Sequence, residues 1–212
     1  MPEYTLCYFA VRGKGEFIRY IFEQSGIPYT EHTVAFWDTP EWVDMKPKMP
    51  MLQLPILKTS DGKVMCQSLA IGRMIAREAG MDGKTSVEKA LVDAYANDVY
   101  DDLYDLYVPA YWVLIEGDPA DSKPNYEKFK KESLAPFLDR YEKILKETGT
   151  GYLVGSDVTW ADLVVAEILN RISTLFDSAA LANHPLLKAH HDKIHSLPNI
   201  KKYVERRPFY KY

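Results

Sequence analysis

Tyr8 stands at the end of an alternating run, Tyr4 to Phe9, just before the turn Arg12-Gly13-Lys14-Gly15 and Glu16. A phenol at the mouth of a strand–turn–helix unit can donate its O–H to a bound thiolate. A free thiol with a pKa of about 8.5 is only ~3% ionised at pH 7. One hydrogen bond to the charged sulfur contributes about 1.5–3 kcal/mol, or about one to two pKa units. That makes the thiolate a major species near neutrality without ionising the tyrosine. Trp42 and Lys46, four apart, share a face if their segment is helical, and offer a ring N–H and an ammonium to a carboxylate. Gln67-Ser68 opens a helix and offers a hydroxyl, backbone N–H groups and a positive dipole end to a second carboxylate. Between them, Gln53-Leu54-Pro55 precedes a strand. Leu54–Pro55 is a candidate cis bond, which would turn the Leu54 backbone outward to pair with an extended peptide. Taken singly, Ser68 is equally a helix cap and Lys46 a solvated charge. Together they suit a ligand with a thiol, a peptide backbone and two carboxylates.

The elements that position these residues follow from periodicity. Residues 3–9 and 29–34 alternate as strands, and Phe17, Ile18, Ile21 and Phe22 recur at helical spacing from Glu16 to Ser25, with Gly26 as the stop. Strand, helix, strand implies a parallel β-α-β unit. Ile56 to Lys58 and Val64 to Cys66 flank the turn Thr59-Ser-Asp-Gly62, which is hairpin chemistry. Ser68 is the expected cap of a helix reaching about Ala79. These residues read as a thioredoxin-like α/β domain over 1–80, β-α-β-α-β-β-α, with a linker at 81–86 and an all-helical domain over 87–212. Helical patterns run from Val87 to Ile115, Tyr126 to Lys146, Trp160 to Phe176, Pro185 to Leu197 and Asn199 to Arg206. Thr159-Trp-Ala-Asp162 is a capping-box start with a structural role.

Composition narrows the function. With 212 residues the chain is long enough for two small cores. A net charge of −4 argues against nucleic acid or an anionic membrane as partner. No apolar run approaches a membrane span, and the start lacks a signal-peptide pattern, so a cytoplasmic protein is expected. Cys7 and Cys66 lie in apolar strand-like runs and read as reduced core residues. The end of the first strand has no Cys-x-x-Cys, which removes disulfide exchange by that route.

The whole chain resembles a cytosolic glutathione transferase of the sigma type, the group that includes glutathione-dependent prostaglandin D synthase and S-crystallins. The motifs that carry this are Tyr8-Phe9 with Arg12-Gly13-x-Gly15-Glu16, Trp42-x-x-x-Lys46, Gln53-Leu54-Pro55, Gln67-Ser68-Leu69-Ala70-Ile71 and Gly155-x-x-x-Thr159-Trp-Ala-Asp162. The resemblance implies that glutathione is a co-substrate and that no cofactor or metal is held permanently. It makes Tyr8 the activator of the thiol. Trp42 and Lys46 would bind the glycyl carboxylate, Gln53, Leu54 and Pro55 the peptide, and Gln67 and Ser68 the γ-glutamyl end. It further implies a homodimer in which Asp101, or else Asp98, reaches the partner's γ-glutamyl amine. Three departures stand out: Met51-Leu52 where relatives carry an aromatic residue and glycine, Lys14 where arginine is common, and a longer Phe36 to Pro40 segment. The last makes Trp37 a rival to Trp42 for the ligand.

A hydrophobic electrophile is the expected second substrate, in a pocket beside Tyr8 between the domains. Phe9, Val11 and Gly13 would form one wall and Tyr104, Tyr107 and Tyr111 the other, with Trp112 and Phe209 to Tyr212 nearby. The same tyrosine stripe suits a core or a dimer surface. Prostaglandin isomerase and peroxidase chemistry would use the same thiolate. The rival reading is an S-crystallin-like structural or ligand-binding relative with little catalysis. Other signals are decoys. Gly83-Lys84-Thr85 follows a helix and has Glu78 where a phosphate loop needs glycine. His191 to His195 mimics a zinc-protease helix but carries Asp192 for glutamate, so both histidines read as surface residues. Asp98, Asp101, Asp102 and Asp105 form an acidic face, better suited to solvent or a partner than to a divalent cation.

Overall fold

The computed structural model describes residues 3–104, 119–208 and 210. Packing divides the chain into two units: one takes the chain up to Asp82 plus the stretch from His195 onward, and the other runs from Gly83 to Ile194. The segment expected as one helical domain from 87 onward is thus shared between the units.

In the first unit four strands form one sheet in the order β2-β1-β3-β4. They are β1 (Tyr4–Phe9), β2 (Tyr29–Val34), β3 (Ile56–Thr59) and β4 (Val64–Cys66). β1 runs parallel to β2, with Tyr8 opposite Thr33, and antiparallel to β3, with Cys7 opposite Ile56. The parallel pair requires a crossover, which α1 (Glu16–Ser25) supplies. Gly26 ends α1 at φ 71, and its N–H bonds the Phe22 carbonyl at 3.0 Å, a left-handed glycine stop. The short α2 (Pro40–Met45) starts at Thr39, whose hydroxyl accepts the Trp42 N–H at 3.4 Å. α3 is Ser68–Glu78. Its cap is Gln67, at φ 72 and without a side-chain capping bond, so Ser68 is the first helical residue and not the expected cap.

α1 and α3 pack closely because Gly72 presents no side chain. A Cβ there would sit 2.6 Å from Phe17 Cε2 and 3.2 Å from Ile21 Cδ1, both on buried residues of α1. Beneath β1 a second cluster joins Cys7, Val34, Trp42 and Ile56, with Phe9, Leu54 and Cys66 packed against it.

The second unit is helical over its described residues. α4 (Ser86–Asp98) opens with a capping box: the Thr85 hydroxyl accepts from Glu88 N at 3.1 Å, and the Glu88 carboxylate accepts from Thr85 N at 3.0 Å. Lys84 N donates to the same carboxylate at 2.7 Å, so Gly83-Lys84-Thr85 is a helix start. The single expected helix from Val87 changes to π-type geometry at Val99–Tyr104, and residues 105–118 lie outside the described set. The expected Tyr126 to Lys146 helix is also divided. α5 (Pro119–Phe129) and α6 (Ala135–Thr148) are joined by a π-type turn at Lys130–Leu134. Pro136 has no N–H for the preceding turn, which the wider turn accommodates. α7 (Trp160–Leu175) packs on α4 and is the buried axis of the unit. Asp162 anchors its start by accepting from Thr159 N at 2.7 Å, Thr159 Oγ1 at 2.8 Å and Leu153 N at 2.8 Å, and it pairs with the buried His190 at 2.9 Å. α8 is Pro185–Ser196.

α9 (Pro198–Arg206) returns to the first unit and packs on α1. His195 is half-buried: its Nε2 lies 3.2 Å from the Tyr20 hydroxyl. Neither it nor His191, whose Nδ1 lies 3.0 Å from Asp192, is a fully exposed surface residue.

Gly72→Ala should lower stability by about 1–3 kcal/mol, because the added methyl has no room against Phe17 and outweighs the usual helix gain of alanine. Urea unfolding at neutral pH measures it, and an unchanged or raised midpoint would contradict the close approach.

Candidate functional site

Tyr8 is 8% exposed at the carboxyl end of β1 and lies in a cradle made by two glycines. A Cβ on Gly13 would fall 2.4 Å from the Tyr8 hydroxyl oxygen, and one on Gly15 the same distance from ring carbon Cδ1. Gly13 also has φ +37, which side chains disfavour. The Tyr8 oxygen accepts the Lys14 N–H at 2.8 Å. The backbone at position 14 therefore holds the phenol, whichever side chain stands there.

Lys14 also lines a small pocket with Gln53, Leu54, Pro55, Gln67 and Ser68. Met51 and Cys66 complete its lining. Five residues singled out from the sequence thus meet in one recess, beside the group that holds Tyr8. The Leu54–Pro55 peptide bond is cis. Gln67 keeps a positive φ without being glycine, a geometry that costs about 1–3 kcal/mol and is found where a binding site demands it. Its amide nitrogen lies 3.1 Å from Met51 Sδ, so the departure at Met51 reaches the pocket.

Trp42 and Lys46 are not in this lining. Trp42 is 6% exposed in the core beneath β1, with its ring edge-on to Phe9 at 5.1 Å. Lys46, in the turn that follows α2, is exposed. Trp37 is 40% exposed, with its ring tilted 32° to that of Phe36 and the centroids 3.6 Å apart. Phe9 and Val11 are half-buried next to Tyr8. Tyr104 is buried in the helical unit, with the Arg171 guanidinium 5.7 Å from its ring, while Tyr107, Tyr111 and Trp112 lie outside the described residues. Asp98 is engaged by both of its oxygens with Arg140 at 3.0 Å, whereas Asp101 is exposed. Asp105 lies outside the described residues. Among the described residues no group of three or more His, Cys, Asp or Glu could hold a metal ion.

An ionic cluster behind Tyr8 escapes sequence reasoning. Glu16 is fully buried and meets Arg19 at 3.0 Å, Arg207 at 2.7 Å and the Tyr203 hydroxyl at 3.2 Å. Burial would raise its carboxyl, but Arg19, Arg207 and Arg12 outweigh burial and hold it below the usual carboxylate range. Arg19 also donates to Val11 O at 3.1 Å and to Glu31 at 3.0 Å. The only available hint was a charge at 16 and another at 19 on the helix face that carries Phe17 and Tyr20. By contrast, burial pushes the Cys7 thiol up to about 11, which leaves it inert as a nucleophile.

The chain is similar to known proteins along its whole length. Family models described as glutathione S-transferase, N-terminal domain and C-terminal domain match residues 17–78 and 104–207. Glutathione S-transferase 1 of Ascaris suum is 39% identical over 98% of each chain. Hematopoietic prostaglandin D synthase of Gallus gallus is 33% identical, again over 98% of each. The structure of a Nu-class GST from Haemonchus contortus superposes with a TM-score of 0.87 at 38% identity, covering 99% of this chain and 98% of that one.

Glu16→Gln should cost about 3 kcal/mol at pH 7, because Arg19 and Arg207 lose their buried counter-charge. The folded carboxyl ionises below its unfolded value of 4.5, so this stability is present above that pH and is lost as pH falls through the lower folded value. Urea unfolding of both proteins should show a wide gap at neutral pH that closes in acid; a constant gap would mean that Glu16 is buried uncharged.

Proposed function

We propose, for a chain that belongs to the glutathione S-transferase family, that Tyr8 donates its hydroxyl hydrogen to the glutathione sulfur and holds it as a thiolate for attack on an apolar electrophile. The observation that carries this reading is the Tyr8 oxygen accepting from Lys14 N at 2.8 Å within a cradle of Gly13 and Gly15. With the oxygen held on one side by a backbone donor, the phenol's own O–H can be aimed at a ligand. The thiolate then attacks the electrophile directly, and no covalent enzyme intermediate is needed. Catalysis comes from the raised thiolate fraction and from holding both partners together.

The pocket supports the rest of the assignment. Gln53 and the Leu54 backbone would take the peptide, with Pro55 beside them just before β3. Gln67 and Ser68, at the start of α3, would take the γ-glutamyl carboxylate on the helix dipole. Lys46, with Trp42 or the more exposed Trp37, would take the glycyl carboxylate. Phe9, Val11 and Gly13 would form the wall that meets the electrophile. Arg140 engages Asp98, so in the homodimer proposed here the exposed Asp101 would be the aspartate that reaches a partner's γ-glutamyl amine. We assign the chain to the sigma type on its residue set, and place it in the cytoplasm. Identity to a prostaglandin D synthase favours a second reading, in which the same thiolate isomerises or reduces a lipid peroxide. In an S-crystallin-like protein the pocket would bind glutathione without lowering its thiol pKa.

Tyr8→Phe should bind glutathione with little loss, raise the bound thiol pKa by about one to two units and lower turnover roughly 10- to 100-fold near neutrality. Thiolate absorbance against pH reads the first effect and conjugation kinetics the second; a variant that turns over like the wild type would remove Tyr8 from the mechanism. Asp101→Ala should weaken glutathione binding several-fold while sedimentation still gives a dimer. A wild type that sediments as a monomer would end the shared-site assignment.

A further inference from the structure

The Arg19 side chain is 1% exposed, and its contacts fix it from several elements. Nη1 meets Glu16 of its own helix at 3.0 Å and the Val11 carbonyl at 3.1 Å, while Nε meets Glu31 on β2 at 3.0 Å. Held there, the guanidinium carbon lies 5.9 Å from the centre of the Tyr8 ring and 5.4 Å from that of Tyr210. A cation within about 6 Å of an aromatic ring is attracted to it. Two aromatic rings thus share one guanidinium, and one of those rings carries the hydroxyl that accepts from Lys14 N, a residue lining the pocket.

We propose that Arg19 is a positioning residue for the transferase reaction: anchored by Glu16 and Glu31 and flanked by Tyr210, it steadies the Tyr8 ring and polarises its hydroxyl toward the sulfur. This rests on the Tyr8 reading above and adds a second residue to it. The surrounding charges favour the effect. Three arginines, Arg19, Arg207 and Arg12, surround Glu16, and Glu31 meets Arg19, so the carboxylates of the cluster are outnumbered and the guanidinium beside the Tyr8 ring is not fully offset; Tyr29, which hydrogen-bonds Glu31, and Tyr203 are neutral. Positive charge beside the ring draws electron density from the phenol oxygen and makes its O–H a better donor. The Lys14 N–H acts on the same oxygen in the same sense. Arginine suits this place because its planar fork reaches two carboxylates and a carbonyl at once, which a lysine ammonium cannot do in fixed geometry.

The experiment titrates the thiol of bound glutathione and the pH profile of kcat/KM with a nitroaryl chloride. It compares wild type, Arg19→Met, Arg19→Lys and Tyr210→Ala, each also in a Tyr8→Phe background. Arg19→Met should raise the bound thiol pKa by about 0.5–1 unit and lower kcat/KM about three- to tenfold at mildly acid pH, with the profiles converging in alkali. Arg19→Lys should recover part of the loss, and Tyr210→Ala should shift the profile the same way by less. These effects should vanish when Tyr8 is phenylalanine. If Arg19→Met does not fold, the lysine and Tyr210 variants carry the test. A loss equal at every pH, or a shift that persists in Tyr8→Phe, overturns the proposal and leaves the Tyr8 reading intact. A thiol pKa still depressed in Tyr8→Phe alone removes the Tyr8 reading, and this inference with it.

Discussion

Glu16 has no exposure to water, and it stays ionised because Arg19 and Arg207 meet it at 3.0 and 2.7 Å. Removing one member of such a pair is far costlier than never having built it, since the remaining charge is left in low dielectric. The cluster therefore has to be complete, and completing it fixes the geometry around it. Arg19 ties α1 to the Val11 carbonyl in the turn after β1 and to Glu31 on β2. Arg207 and Tyr203 tie α9 to the start of α1. The turn from Arg12 to Gly15 is thereby held between anchored ends, which is what the Lys14 N–H requires in order to meet the Tyr8 hydroxyl.

The site divides its work between rigid backbone and side chains. Lys14 acts on Tyr8 through its N–H, and the recess beside it is lined by Leu54 and by the first residue of α3, Ser68. Side-chain identity matters most where it is an absence: Gly13 and Gly15 leave room for the phenol, and Gly72 lets α3 approach α1. Such a site tolerates drift in neighbouring side chains, since Lys14 meets Tyr8 through its backbone. It does not tolerate a methyl group on the glycines under the ring.

The local elements were legible because their signals are local. Alternation marked β1, glycine marked the end of α1, Thr59 to Gly62 marked the hairpin, and Asp162 marked the start of α7. The pocket residues were legible as types that suit a peptide thiol, each at an element end. What escaped depends on partners far apart in the chain. Nothing near Glu16 announces that its counter-charge is Arg207, 191 positions later. Trp42 illustrates the opposite limit: four-residue spacing from Lys46 suggested a shared face, while its burial with Phe9 and Ile56 depends on residues far from it in the chain. The π-type turns at Val99 and Lys130 interrupt patterns whose apolar periodicity continues through them, so hydrophobic spacing alone could not reveal them.

The return of α9 to the first unit has a bearing on how the protein is made. On the ribosome the sheet and its helices emerge early, and domains generally fold as units in that order. Here the early unit is left with an acidic residue at the head of α1 that has Arg19 but not yet Arg207. Until Arg207 arrives, the Glu16 oxygen that it will meet must keep its hydration. The helical unit from Gly83 to Ile194 is translated in that interval. A nascent chain that holds every residue lining the recess beside Lys14 is therefore still waiting for the distant residue that completes the charge cluster at the head of α1.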